Sequence, residues 1–137
     1  MANKSQRIIL DTNLWISFLI TKDYTRLDNI LFSKKCILIF STELLEEFLE
    51  VAKRPKFRRF FSSSDIEDLL ELLNEYADFV KVVTKVKMSR DPKDDFLLAL
   101  AVDGKADILL TGDQDLLVLA KYNNTTIITI SDFFDKY

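Results

Sequence analysis

The side chains in this sequence that could do chemistry are carboxylates standing at the ends of short apolar runs. Asp11 closes residues 7–11 (RIILD) and opens Asp11-Thr12-Asn13. Asp113 and Asp115 follow residues 106–111 (ADILLT), within Thr111-Gly112-Asp113-Gln114-Asp115. Glu43, Glu46, Glu47 and Glu50 come after Cys36–Phe40 (CILIF), and Asp91, Asp94 and Asp95 open a further segment. The chain has no histidine, one cysteine and two glycines, Gly104 and Gly112. Those numbers exclude a Ser-His-Asp or Cys-His site, an ordinary zinc site, an internal disulfide and the glycine-rich phosphate loops. Carboxylates crowded into one crevice repel each other and call for a cation. Oxygen donors alone select Mg²⁺ or Mn²⁺ over zinc or copper. The reaction that suits such ions is phosphodiester hydrolysis, by in-line attack of an activated water.

The elements that must hold these acids alternate between strand and helix. Strands are predicted at residues 7–11, 36–40, 79–83, 106–111 and 125–130, the third alternating like an edge strand. A helix starts near Thr12, breaks near 21–24 and resumes through Ile30 and Leu31. Ser41 is the natural cap of a helix over 42–53, ended by Pro55, and Ser62-Ser63-Ser64 caps another over 65–77. Asp91-Pro92 starts a helix running to Gly104, read as its C-cap, and a last helix covers 113–121. This alternation predicts a single α/β domain over residues 1–137, a parallel sheet with helices on both faces. Ligands of such sheets bind beyond the carboxyl ends of the strands, where these acids fall.

Each acid also has a plain structural explanation. Asp11 and Asp113 stand where N-caps belong, and Asp91 is sufficiently explained by its helix start. Asp94 can support that same start. Asp95 has Leu98, Ala99 and Val102 at +3, +4 and +7, a stripe that points it inward. Glu47 sits on the margin of an apolar face made by Leu44, Leu45, Phe48, Val51 and Ala52, whereas Glu43, Glu46 and Glu50 point to solvent.

The four groups together resemble the motifs of PIN-domain nucleases. Ile8-Ile9-Leu10-Asp11-Thr12-Asn13 is similar to the family's opening, and residues 41–48 running into Arg54-Pro55-Lys56-Phe57 to its second acidic motif. Asp91-Pro92-Lys93-Asp94-Asp95 resembles the third and Leu110-Thr111-Gly112-Asp113-Gln114-Asp115 the fourth. The likeness runs from about residue 7 to 131, and its nearest branch is the VapC-like ribonuclease toxins of bacterial toxin–antitoxin systems. It implies a five-stranded parallel sheet and a metal-dependent ribonuclease using Mg²⁺ or Mn²⁺. The implied metal-binding and catalytic acids are Asp11, Glu47, Asp95 and Asp113, with Asp115 auxiliary and Thr12, Asn13 and Thr111 orienting. Asp95 is chosen over Asp94 by the family's acid-x-x-apolar-Ala pattern. Also implied are an RNA substrate, products with 5′-phosphate and 3′-hydroxyl ends, a homodimer and a cognate antitoxin.

A net charge of −3 gives no general attraction to polyanions, so RNA needs a local basic patch. Lys53, Arg54, Lys56, Arg58 and Arg59 supply one, as either solvated charge at a helix end or phosphate contacts. The longest apolar run, residues 96–102, is far short of the ~18–20 residues that span a bilayer, and the expected compartment is the cytoplasm. A receiver domain would need paired acids after the first strand, and a haloacid-dehalogenase phosphatase Asp-x-Asp; Asp11-Thr12-Asn13 offers neither. The competing reading is a PIN scaffold that binds RNA or protein with little turnover.

Overall fold

The computed structural model describes residues 5–33, 35–87 and 92–136. In chain order the elements are β1 (Gln6–Leu10), α1 (Thr12–Thr21), α2 (Thr25–Leu31), β2 (Cys36–Phe40), α3 (Thr42–Ala52), α4 (Ser63–Tyr76) and β3 (Asp78–Phe79). There follow α5 (Pro92–Asp103), β4 (Ile108–Leu110), α6 (Gln114–Leu117), β5 (Lys121–Tyr122), β6 (Thr125–Ile128) and α7 (Ile130–Lys136). Between α3 and α4 lies a single 3-10 turn, Pro55–Phe57. Asp91, expected as a helix cap, lies outside the described residues. Among those residues no helix is long and apolar enough to cross a membrane.

The sheet order is β3-β2-β1-β4-β6-β5. The first five of these are parallel, and β5 pairs antiparallel with β6. The chain fills the sheet on one side of β1 before crossing to the other, so right-handed crossovers put helices on both faces. Strands covered on both faces read as unbroken apolar runs, and here Ile8, Ile9 and Leu10, Leu38, Ile39 and Phe40, and Ile108, Leu109 and Leu110 are all buried. Each such side chain contributes about 1.5–3 kcal/mol of burial. Trp15 of α1 anchors the layer above, its ring centroid 5.4 Å from Phe40 and 6.4 Å from Phe48 of α3. Its indole N–H donates to the Leu10 carbonyl at 3.2 Å, just before Asp11.

Five parallel strands agree with the expected α/β class, and a sixth, antiparallel strand is added. The helix expected over 113–121 stops at Leu117, because Ala120 turns left-handed with φ 59° and sends the chain into β5. Asn123, also left-handed at φ 51°, makes the tight turn into β6, a conformation Asn tolerates better than most residues. The tail after β6 is helical, as α7. Strand β3 is two residues long rather than residues 79–83, although Val80 N–H still donates to Phe40 at 2.8 Å. Past that point the Val83 and Thr84 N–H groups bind the Asp103 carboxylate, at 2.6 and 2.8 Å, instead of a strand partner. The left-handed residue after α5 is Lys105, not Gly104. Gly104 is needed for closeness: a β-carbon there would meet the Leu100 carbonyl oxygen at 2.8 Å and Ile39 Cγ2 at 3.0 Å.

Ala120 is exposed and its β-carbon opposes the left-handed conformation, which costs an L-residue roughly 1–2 kcal/mol. Glycine relieves that strain and returns about 0.5–1 kcal/mol through a freer unfolded chain. Ala120→Gly is therefore expected to raise the melting temperature by a few degrees in a thermal scan. A lower melting temperature would contradict this reading of the turn.

Candidate metal centre

Strands β1 and β4 are neighbours in register, Leu10 beside Leu110, and the sheet order reverses between them. Their next residues, Asp11 and Thr111, thus emerge side by side at the switch point where ligands of such sheets bind. Asp11 is 5% exposed, and its Oδ2 accepts from the Thr111 hydroxyl. The same hydroxyl oxygen accepts the Asp113 N–H at 3.0 Å, so Thr111 links two of the acids. Asp11 Oδ1 accepts the Leu14 N–H at 3.0 Å, which makes Asp11 the N-cap of α1. Asp113 caps α6 in the same manner, accepting from the Asp115 N–H at 2.9 Å. Capping and a place in the site are therefore one arrangement for both residues, not rival explanations.

Opposite them, Ser41 caps α3 and sets the phase that brings Glu47 round to the crevice. Glu47 Oε2 accepts from the Thr12 hydroxyl at 3.0 Å, tying α3 to the first turn of α1. The resulting cleft, about 210 Å³, is lined by Asp11, Glu47, Asp94 and Asp113, with Thr12 and Asn13 at one side. Arg54, Lys56 and Phe57 form another wall, and Val51 and Leu97 supply apolar surface. Asp94, Asp113 and Asp115 can each bring a carboxylate oxygen within 4.8 Å of the others, grading from buried through half-buried to exposed.

Burial is the main force on the Asp11 carboxyl and pushes its pKa above the ordinary aspartate value. The Thr111 hydroxyl and the Leu14 and Gly112 N–H groups pull it part-way back, while the Asp113 charge pushes it up again. The donor set is all oxygen, carries several negative charges and is partly shielded from water. A hard divalent cation fits those residues, and a soft or nitrogen-seeking metal does not.

The structure brings Asp94, not the expected Asp95, into the cleft: Asp94 is 5% exposed and lines it, whereas Asp95 is half-buried and outside it. Helix phase could not separate them, because Leu97, Leu98, Ala99, Leu100 and Ala101 are all buried and α5 has an apolar stripe beneath either acid. Among the other expected residues, Asp11, Thr12, Asn13, Glu47 and Asp113 line the cleft, Thr111 lies buried behind it, and Asp115 joins the acidic group. The basic segment divides. Arg54 and Lys56 reach the cleft, while Lys53, Arg58 and Arg59 are exposed outside it. Sequence reading did not single out Val51, Phe57 or Leu97 as cleft walls, since apolar residues carry no signal that tells a wall from core.

Residues 7–115 match the family model described as PIN domain. The chain belongs to the PIN-domain family. PIN domains are generally metal-dependent nucleases that use divalent ions, and this chain carries both the nuclease-type fold and an acidic group able to hold such an ion. No curated protein matches the chain.

Asp11 also supplies a test of how this PIN domain carries its charge. A carboxyl whose folded pKa is raised binds its proton more tightly when folded, so folding stability is lost as pH rises through that pKa. The metal-free protein should therefore carry a deficit at neutral pH that disappears on acidification. In chelator at neutral pH, Asp11→Asn should melt at an equal or higher temperature than the wild type, because Asn caps a helix about as well as Asp. The difference should shrink as pH falls toward the ordinary aspartate range. A variant that melts several degrees lower at neutral pH would contradict the reading that the buried Asp11 charge costs the metal-free fold stability.

Proposed function

We propose that the protein is a Mg²⁺- or Mn²⁺-dependent endoribonuclease that hydrolyses phosphodiester bonds of single-stranded RNA. The observation that carries this reading is one cleft in which Asp11, Glu47, Asp94 and Asp113 share walls with Arg54 and Lys56. Asp94 and Asp113, with Asp115 at the rim, would hold the ion, and Asp11 and Glu47 would complete its surroundings. When bound, the ion activates water and neutralises charge on the reacting phosphate. The other tasks belong to the chain itself. Thr111 fixes Asp11 and the backbone of Asp113, and Thr12 fixes Glu47. Asn13, exposed at the mouth, offers an amide to a phosphate oxygen or a water. Arg54 and Lys56 give the RNA backbone the positive charge that the acids deny it.

The likeness of the four motifs to VapC-like toxins supports a narrower reading. In it the 137 residues form a single cytoplasmic domain, act as a homodimer on cellular RNA and are restrained by a cognate antitoxin. Light scattering of the purified protein addresses the dimer, and expression alone with sequencing of new 5′-phosphate RNA ends addresses the substrate.

For the central reaction, labelled single-stranded RNA should be cut with Mg²⁺ or Mn²⁺ and not in excess chelator, leaving 5′-phosphate and 3′-hydroxyl ends. Asp113→Asn should abolish cutting. Thr111→Val, which removes a hydroxyl behind the acids, should slow it about 10–100-fold. Cleavage that persists in chelator, or products ending in 2′,3′-cyclic phosphate, would overturn the mechanism. RNA binding without turnover in either metal would leave the scaffold reading.

A further inference from the structure

The basic wall of the cleft continues into an aromatic run. Residues 53–61 (KRPKFRRFF) hold five cations and three phenylalanines with no acid, in a chain whose net charge is −3. Two of the three rings are spent on packing. Phe61 is buried and stacks on half-buried Phe57, with centroids 5.9 Å apart and 21° between the planes. Phe60 between them is turned outward, 37% exposed, and the Arg59 guanidinium lies 4.9 Å from its ring centroid. The Phe60 N–H donates to the Phe57 carbonyl at 2.9 Å, so the outward ring stands one tight turn beyond a cleft-lining residue. Such a turn spans less than about 7 Å, a step of the order of one nucleotide.

We propose that Phe60 and Arg59 form a stacking subsite for an unpaired nucleobase of a single-stranded RNA whose neighbouring phosphates contact Arg54 and Lys56. The inference rests on the nucleic-acid reading of the cleft. An exposed ring backed by a cation is a flat, positively charged plate, and every base has a face to lay on it. Bases inside an RNA duplex are already stacked on each other and are not offered, so the plate selects single strands. The cleft acids repel the backbone, so in the absence of metal the strand is held by this wall. Binding is then independent of divalent ions although cleavage is not.

The test uses the full chain in chelator and short single-stranded RNAs carrying 2-aminopurine at each position in turn. Binding should quench the fluorescence at one position. Phe60→Leu should bind about 5- to 150-fold more weakly and lose that quench, and Phe60→Trp should keep both. Wild-type affinity and quench in Phe60→Leu would overturn the subsite, as would equal binding of a fully paired duplex. The two proposals fail separately. A protein that quenches through Phe60 but never cuts RNA retains the subsite and loses the nuclease reading. One that cuts RNA while Phe60→Leu changes neither affinity nor quench retains the nuclease and loses the subsite.

Discussion

The Thr111 hydroxyl donating to the Asp11 carboxylate joins the carboxyl ends of the two central strands, β1 and β4. Around that bond the sheet has to solve an electrostatic problem. Asp11 is buried where its charge is poorly hydrated, and Asp113 adds a second negative charge beside it. Hydrogen bonds from Thr111, Leu14 and Gly112 offset part of the cost, and helix caps are the means by which the backbone delivers them. A cation bound among the cleft acids would relieve the remainder. A fold that carries a cost without metal in order to be ready for it is a common condition of functional sites.

Charge is distributed about the cleft in two parts. Carboxylates come from the ends of β1 and β4 and from α3 and α5, whereas Arg54, Lys56 and Phe57 come from the short segment after α3. Surface pairing does little to quench these cations: the Arg54 and Glu50 groups are 3.9 Å apart and both exposed, a geometry worth little in water. The basic wall is therefore available to a phosphate backbone while the acids are available to a metal. In the proposed ribonuclease reading, such a division would let one small chain of net negative charge take up a polyanion.

Much of this was legible in the sequence because the signals were local. Buried strands read as RIILD, CILIF and ADILLT, and Ser41 and Ser62 marked helix starts that the structure places within a residue or two. The cleft-lining positions of Asp11, Glu47 and Asp113 were legible because Asp11 and Asp113 follow the ends of apolar strands and Glu47 sits on the edge of an amphipathic face. The failures have physical causes as well. Asp94 and Asp95 could not be separated by phase on a helix buried on nearly every side. The β5–β6 hairpin was hidden because nothing in the side chain of Ala120 announces a left-handed turn. Asp103, whose carboxylate replaces a strand partner for Val83 and Thr84, acts across 19 and 20 residues of chain, and no local pattern encodes that.

The central claim is that the fold gathers these carboxylates to hold a divalent ion, with Asp94 the acid that α5 contributes. Calorimetric titration of metal-free protein with Mn²⁺ tests it most directly, comparing wild type with Asp94→Asn, Asp113→Asn and Asp95→Asn. The account predicts that the wild type binds Mn²⁺, that Asp94→Asn and Asp113→Asn bind it markedly more weakly, and that Asp95→Asn stays near the wild type. No binding by the wild type, or loss of binding in Asp95→Asn with Asp94→Asn unaffected, would contradict it.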